Sequence, residues 1–240
     1  MVQGARRRRQ RGGVQSGGVR QVAAGVGRLW AADEAPLVGD ALVIASGVAG
    51  LRQIDCLPTD VPGRDQGRPN WTRERFCAVA LIRHLSTVRQ HLFPLRVERV
   101  DSPDFLLASC RPGSPAVAVE VTDAGEFEYQ RFLDRTAACT GLHHVPSPSG
   151  EGWKGDAPER HFAAALGEAM KRKLADSVWR HAAGLPRWLV LYDNTNTGWF
   201  TSDADAGTCL NQQVHAGREG GLSALVLVRS LDLVWMVECD

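Results

Sequence analysis

Two carboxylates stand out because their spacing can gather them at one point. Ser102-Pro103-Asp104-Phe105 is followed, after the turn-rich Arg111-Pro112-Gly113-Ser114-Pro115, by Val117-Ala118-Val119-Glu120-Val121-Thr122. Two short apolar runs joined by a Pro-Gly reversal predict an antiparallel hairpin. The midpoint of positions 104 and 120 falls at Pro112, so a symmetric hairpin sets Asp104 directly opposite Glu120. Opposed residues share a face, with Cβ atoms about 4.5–5.5 Å apart. Two carboxylates that close repel one another unless a proton or a cation intervenes. Mg²⁺ or Mn²⁺ suits such a pair, because a small hard cation is often held by one or two carboxylates, with water and phosphate oxygens completing its shell. Asp104 and Glu120 are therefore the expected metal ligands. Taken singly, each also has a plain structural role, as a strand-entry cap or a strand-end surface residue.

Alternation along the second strand turns Val117, Val119 and Val121 to one side and Ala118, Glu120 and Thr122 to the other. The elements that must position this hairpin follow from periodicity. A helix is predicted from Thr72, as N-cap, to about His91, ended by Pro94. Strands follow at 96–100, 105–108 and 116–122, then a short helix at about 126–138 and a loop over 140–157. A long helix opens at Pro158, a residue suited to the first helical position, and runs to about Ala183. A strand at 188–193, a turn at 194–198, a polar loop, and strands at 224–228 and 233–238 complete the chain. This order predicts an α/β domain with a mixed sheet flanked by helices over residues 71–240. Residues 1–35 read as a disordered Arg/Gly-rich lead-in, either a nucleic-acid-binding arm or a plain solvated tail. Residues 36–70 read as a short element and a linker.

Pro-Asp, a turn, and a strand glutamate, preceded by a helix and followed by Tyr192-Asp193-Asn194-Thr195, resemble the PD-(D/E)xK nuclease superfamily over about residues 71–195. The resemblance implies a restriction-endonuclease-like fold, Mg²⁺-dependent phosphodiester cleavage, and Asp104 and Glu120 as metal ligands. It also expects lysine two residues after the glutamate, where this chain has Thr122. Threonine can hydrogen-bond a water but adds no positive charge near a scissile phosphate.

The chain has only three lysines, Lys154, Lys171 and Lys173, among 28 basic residues. On the long helix Phe162, Leu166, Ala169 and Met170 mark the apolar face at about 100° per residue; Lys173 falls on that face and Lys171 nearly opposite. Lys173 is thus either a relocated catalytic lysine or a snorkelling side chain whose stem packs on the core. Glu159 is also expected towards the inner face, and Lys154 is a weaker phosphate-binding candidate. Glu74 is expected in the first turn of the first helix, where it either completes the metal site or complements the helix dipole. Gln130, after the second strand, is a further candidate. Asp193 and Asn194 are read as turn formers.

Bulk properties narrow the alternatives. No apolar run reaches the roughly 18–20 residues of a membrane span, and no signal-peptide core is evident, so a cytoplasmic protein is expected. Six dispersed cysteines without a Cys-x-x-Cys pair are expected to be thiols, and Cys139 with His143 and His144 makes only a poor zinc site. The net charge is +1 and the first 30 residues hold seven arginines and no acid, so the rest carries −6. An acidic body argues against a broad non-specific nucleic-acid surface, though a local basic groove is compatible with it. Three readings stay open: a Mg²⁺-dependent nuclease, a catalytically silent module of the same fold that holds nucleic acid or a protein partner, and a globular domain whose carboxylates are structural.

Overall fold

A computed structural model describes residues 39–61, 70–125, 157–175, 177–195, 197 and 200–239. Its centre is a seven-stranded mixed sheet whose spatial order follows the chain order. The strands are β1 (Ala41–Ile44), β2 (Leu95–Arg99), β3 (Phe105–Ser109), β4 (Val117–Asp123), β5 (Arg187–Tyr192), β6 (Ala224–Val228) and β7 (Val234–Glu238). Strands β1 to β4 run antiparallel, β4 to β6 parallel, and β7 antiparallel to β6. The parallel pairs force crossovers, which helices supply.

Helices α1 (Gly47–Asp55) and α2 (Asn70–Val88) lie on one layer, and α3 (Pro158–Ala175), α4 (Asp203–Gln212) and α5 (Val214–Glu219) on the other side of the sheet. Two apolar clusters result. Val119, Val121, Trp188 and Val190 pack with Cys77 to Leu85 of α2, whereas Ala118, Leu189, Leu191, Leu225 and Leu227 pack with Phe162, Leu166, Ala169 and Met170 of α3. Covered on both faces, β6 is an unbroken run of buried Ala, Leu and Val, as sheets sandwiched between helices require.

The strand expectations hold to within a residue or so at their ends, but several helical ones need correction. Thr72 is not an N-cap: α2 already includes Asn70, and Thr72 is buried inside it beside Trp71. Trp71 packs on Phe105 with ring centroids 5.9 Å apart, so contact with β3 carries the helix further back than capping chemistry suggests. Helix α3 stops at Ala175 instead of about Ala183, giving way to a 3₁₀ segment at Ser177–Ala182. Within 36–70, where a short element is expected, there are two: β1, which pairs with β2, and α1, which buries Ile54 in the α2-side core.

The supposed polar loop after residue 198 contains α4 and α5. Its start was legible: Ser202 accepts the Asp205 N–H at 3.2 Å, with Asp203 and Asp205 in the first turn. That is the Ser-x-x-acid pattern of a capped helix start. The expected helix at 126–138, the loop at 140–157 save Ala157, the lead-in at 1–35 and most of the proposed linker lie outside the described residues. No helix among the described residues is long and apolar enough to cross a membrane.

Candidate functional site

The β3–β4 hairpin has the register that its turn implies. Phe105 pairs with Val119, Leu106 with Ala118 and Leu107 with Val117. One step further places Asp104 opposite Glu120. Gly113, with φ of +79°, supplies the left-handed residue of the reversal. Face assignment is set by the next strand: Glu120 pairs with Leu189 and Thr122 with Leu191, and both leucines face α3. Glu120 and Thr122 therefore lie under α3, as strand alternation predicts, and both are buried.

Asp104 sits where the β3–β4 ladder stops. Its Oδ2 accepts the Val121 N–H at 2.7 Å, replacing a main-chain acceptor. Asp104 is thus bonded to the main chain of the opposite strand, next to Glu120. The strand-cap role and the opposed-acid role belong to the same residue.

Lys173 reaches this pair from α3. Its Nζ donates to Glu120 Oε1 at 2.5 Å. The stripe of Phe162, Leu166, Ala169 and Met170 is fully buried, and Lys173 continues it by one turn. Lys171 points away, 72% exposed, and donates to Glu168 at 2.8 Å. Arg172 also bonds β4, donating to the Asp123 carbonyl at 3.0 Å. Two basic residues in the last turn of α3 suit the negative end of its dipole.

Burial makes the acids reluctant to ionise. Glu120 is pushed up to about 7, first by desolvation and then by the Asp104 charge, while Lys173 pulls it down. Asp104 is also raised by burial, against the opposing pull of the Val121 N–H and Lys173. Glu74 joins them: burial and the Asp104 charge raise it to about 7, with Arg99 and Arg73 lowering it and Glu120 adding to the rise. Glu74 lies in the second turn of α2, since the helix starts at Asn70. The expected first-turn dipole role therefore falls away, and its electrostatic link to the two hairpin acids stands in its place.

Reading the sequence missed the ion pair that flanks this group. Arg73 on α2 donates to Asp123 Oδ2 at the end of β4, so Asp123 ties both helical layers to the strand carrying Glu120. The adjacency of Arg73 to Glu74 and of Asp123 to Thr122 was the available signal. Glu159 is exposed rather than inward. Asp193 serves its turn, with Oδ1 accepting the Thr195 N–H and hydroxyl and Oδ2 accepting Arg229 Nε at 2.8 Å. Gln130, Lys154 and the Cys139–His143–His144 group lie outside the described residues. Cys56, Cys77, Cys110 and Cys209 are thiols.

The donor set fits a hard divalent cation better than a soft one, being two opposed carboxylates with hydrogen-bond capacity left on each. Among the described residues, no three His, Cys, Asp or Glu side chains gather closely enough to hold a metal by themselves. Water or substrate oxygens would have to complete its shell. No protein-family model matches this chain, and no curated protein or solved structure is found to be similar to it.

Proposed function

We propose that Asp104, Glu120 and Lys173 form the centre of a Mg²⁺- or Mn²⁺-dependent phosphodiesterase acting on nucleic acid, on the plan of the PD-(D/E)xK nucleases with the lysine moved to a helix. The observation that carries this reading is the Lys173 ammonium seated 2.5 Å from Glu120. It puts a cation beside the acid pair, which Thr122 cannot do. Asp104 and Glu120 would hold the metal, and when bound it supplies Lewis-acid stabilisation of charge on the phosphate and a more acidic water. Lys173 orients a water against Glu120 and offers positive charge where negative charge develops. Glu74 adds negative potential from the opposite layer.

The test is incubation of the protein with single-stranded DNA, duplex DNA and RNA, with Mg²⁺, Mn²⁺ or chelator. Metal-dependent cleavage that disappears in Glu120→Gln supports the reading, and metal-independent cleavage or an unaffected Glu120→Gln refutes it. One observation favours a silent binding module instead: the Lys173–Glu120 pair is already charge-compensated without a metal. Metal binding with no cleavage of any nucleic acid would point there.

A further inference from the structure

Two hydrogen bonds outside the acid pair converge on the 3₁₀ segment at Ser177–Ala182. The Trp179 indole Nε1–H donates to the Lys173 carbonyl at 3.2 Å. The Ser102 hydroxyl, two residues before Asp104, donates to the Val178 carbonyl at 2.6 Å. Adjacent residues of one short segment thus bond the Lys173 carbonyl and the side chain of Ser102, which leads into Asp104.

Lys173 stands in the last turn of α3, where carbonyls lack helical partners and the backbone frays. Trp179 satisfies one of these carbonyls, and it is well anchored to do so. It is buried, the Arg187 guanidinium stands 5.8 Å from its ring centroid, and Val178 packs against the α3-side cluster. Arg187 opens β5 and pairs with Ala118 on β4, so Trp179 is linked through Arg187 to the strand that carries Glu120.

We infer that Ser102 and Trp179 are positioning residues, which clamp the end of α3 to the Asp104 loop and so hold the Lys173 ammonium on Glu120. The catalytic meaning of this clamp rests on the proposed phosphodiesterase reading. The clamp itself does not.

The test exploits the scarcity of lysine. Brief acylation of the metal-free protein, read by peptide mass spectrometry, compares Lys173 with its neighbour Lys171. In the wild type Lys173, 23% exposed and bonded to Glu120, should react more slowly than Lys171, 72% exposed. Trp179→Phe keeps an aromatic ring, though a smaller one, and removes the N–H; it should raise the Lys173-to-Lys171 ratio about three-fold or more through local opening of the helix end. Ser102→Ala should act in the same direction, and Ser102→Thr, which restores the hydroxyl, should return the ratio to the wild-type value. A purely structural bond would lower the melting temperature and leave this ratio alone. A ratio unchanged in both Trp179→Phe and Ser102→Ala, or not restored by Ser102→Thr, overturns the inference. In the cleavage assay the same variants should lose about ten-fold or more in kcat with KM unchanged. A wild type that cleaves nothing refutes the phosphodiesterase reading, while the labelling ratios still decide the clamp.

Discussion

Replacing Glu74 by glutamine should stabilise the metal-free protein, and the gain should depend on pH in a calculable way. Glu74 is raised from 4.5 to about 7 by burial and by Asp104. The folded protein therefore keeps a proton that the unfolded chain releases between those values. Stability is unaffected by this group below 4.5 and is lost as pH rises through about 7. The full loss corresponds to roughly 3 kcal/mol at 1.36 kcal/mol per pH unit. Glutamine never ionises, so it escapes that loss. Its buried amide costs something of its own, which leaves a net gain of about 2 kcal/mol near pH 8. Near pH 5 the wild-type penalty is under about 1 kcal/mol, so the variant should be neutral or slightly worse there. Urea denaturation in chelator, at both pH values, measures this directly. A variant no more stable than wild type near pH 8, or a gain equal at both pH values, would refute the buried acid group.

The other predictions follow from the same geometry. Asp104→Asn removes the repulsion with Glu120 while keeping an oxygen for the Val121 N–H, so it should raise the metal-free melting temperature and abolish the further rise that Mg²⁺ or Mn²⁺ gives the wild type by mass action. Metal affinity, measured by titration calorimetry, should tighten as pH rises through about 7, with protons released on binding, because Glu120 and Glu74 must ionise as the cation enters. Affinity independent of pH across that range would place the metal elsewhere. Gly220→Ala would set a methyl 2.5 Å from the Leu174 side chain at the end of α3. It should cost about 1 kcal/mol or less in denaturation experiments, because the contacted methyls end a flexible, partly buried leucine that can shift.

The sheet was readable because its signals are local. Alternating Val and Ala on β4, an unbroken apolar β6, and a Pro-Gly reversal between β3 and β4 leave few other arrangements. The same symmetry argument brought Asp104 opposite Glu120, and helical phase separated Lys173 from Lys171. What could not be read depended on partners distant in sequence. Thr72 looks like a cap until Phe105 packs on Trp71. The end of α3 is set by Trp179 bonding back to Lys173, and a run of good helix formers conceals it. Arg73 and Asp123 are 50 residues apart, and only their adjacency to Glu74 and Thr122 hints that they meet. Helices α4 and α5 were the avoidable omission, since Ser202 and Asp205 announce the first of them.

The central claim is that a lysine on α3 does for this acid pair what Thr122 cannot. Single-turnover cleavage of nucleic acid at saturating Mg²⁺, compared between wild type, Lys173→Met and Lys171→Met, tests it most directly. The Lys173 variant should be slower by about 10²-fold or more, the scale of losing one transition-state donor. The Lys171 variant, altered two residues away on the exposed face, should match the wild type. Equal rates for wild type and Lys173→Met would contradict the account.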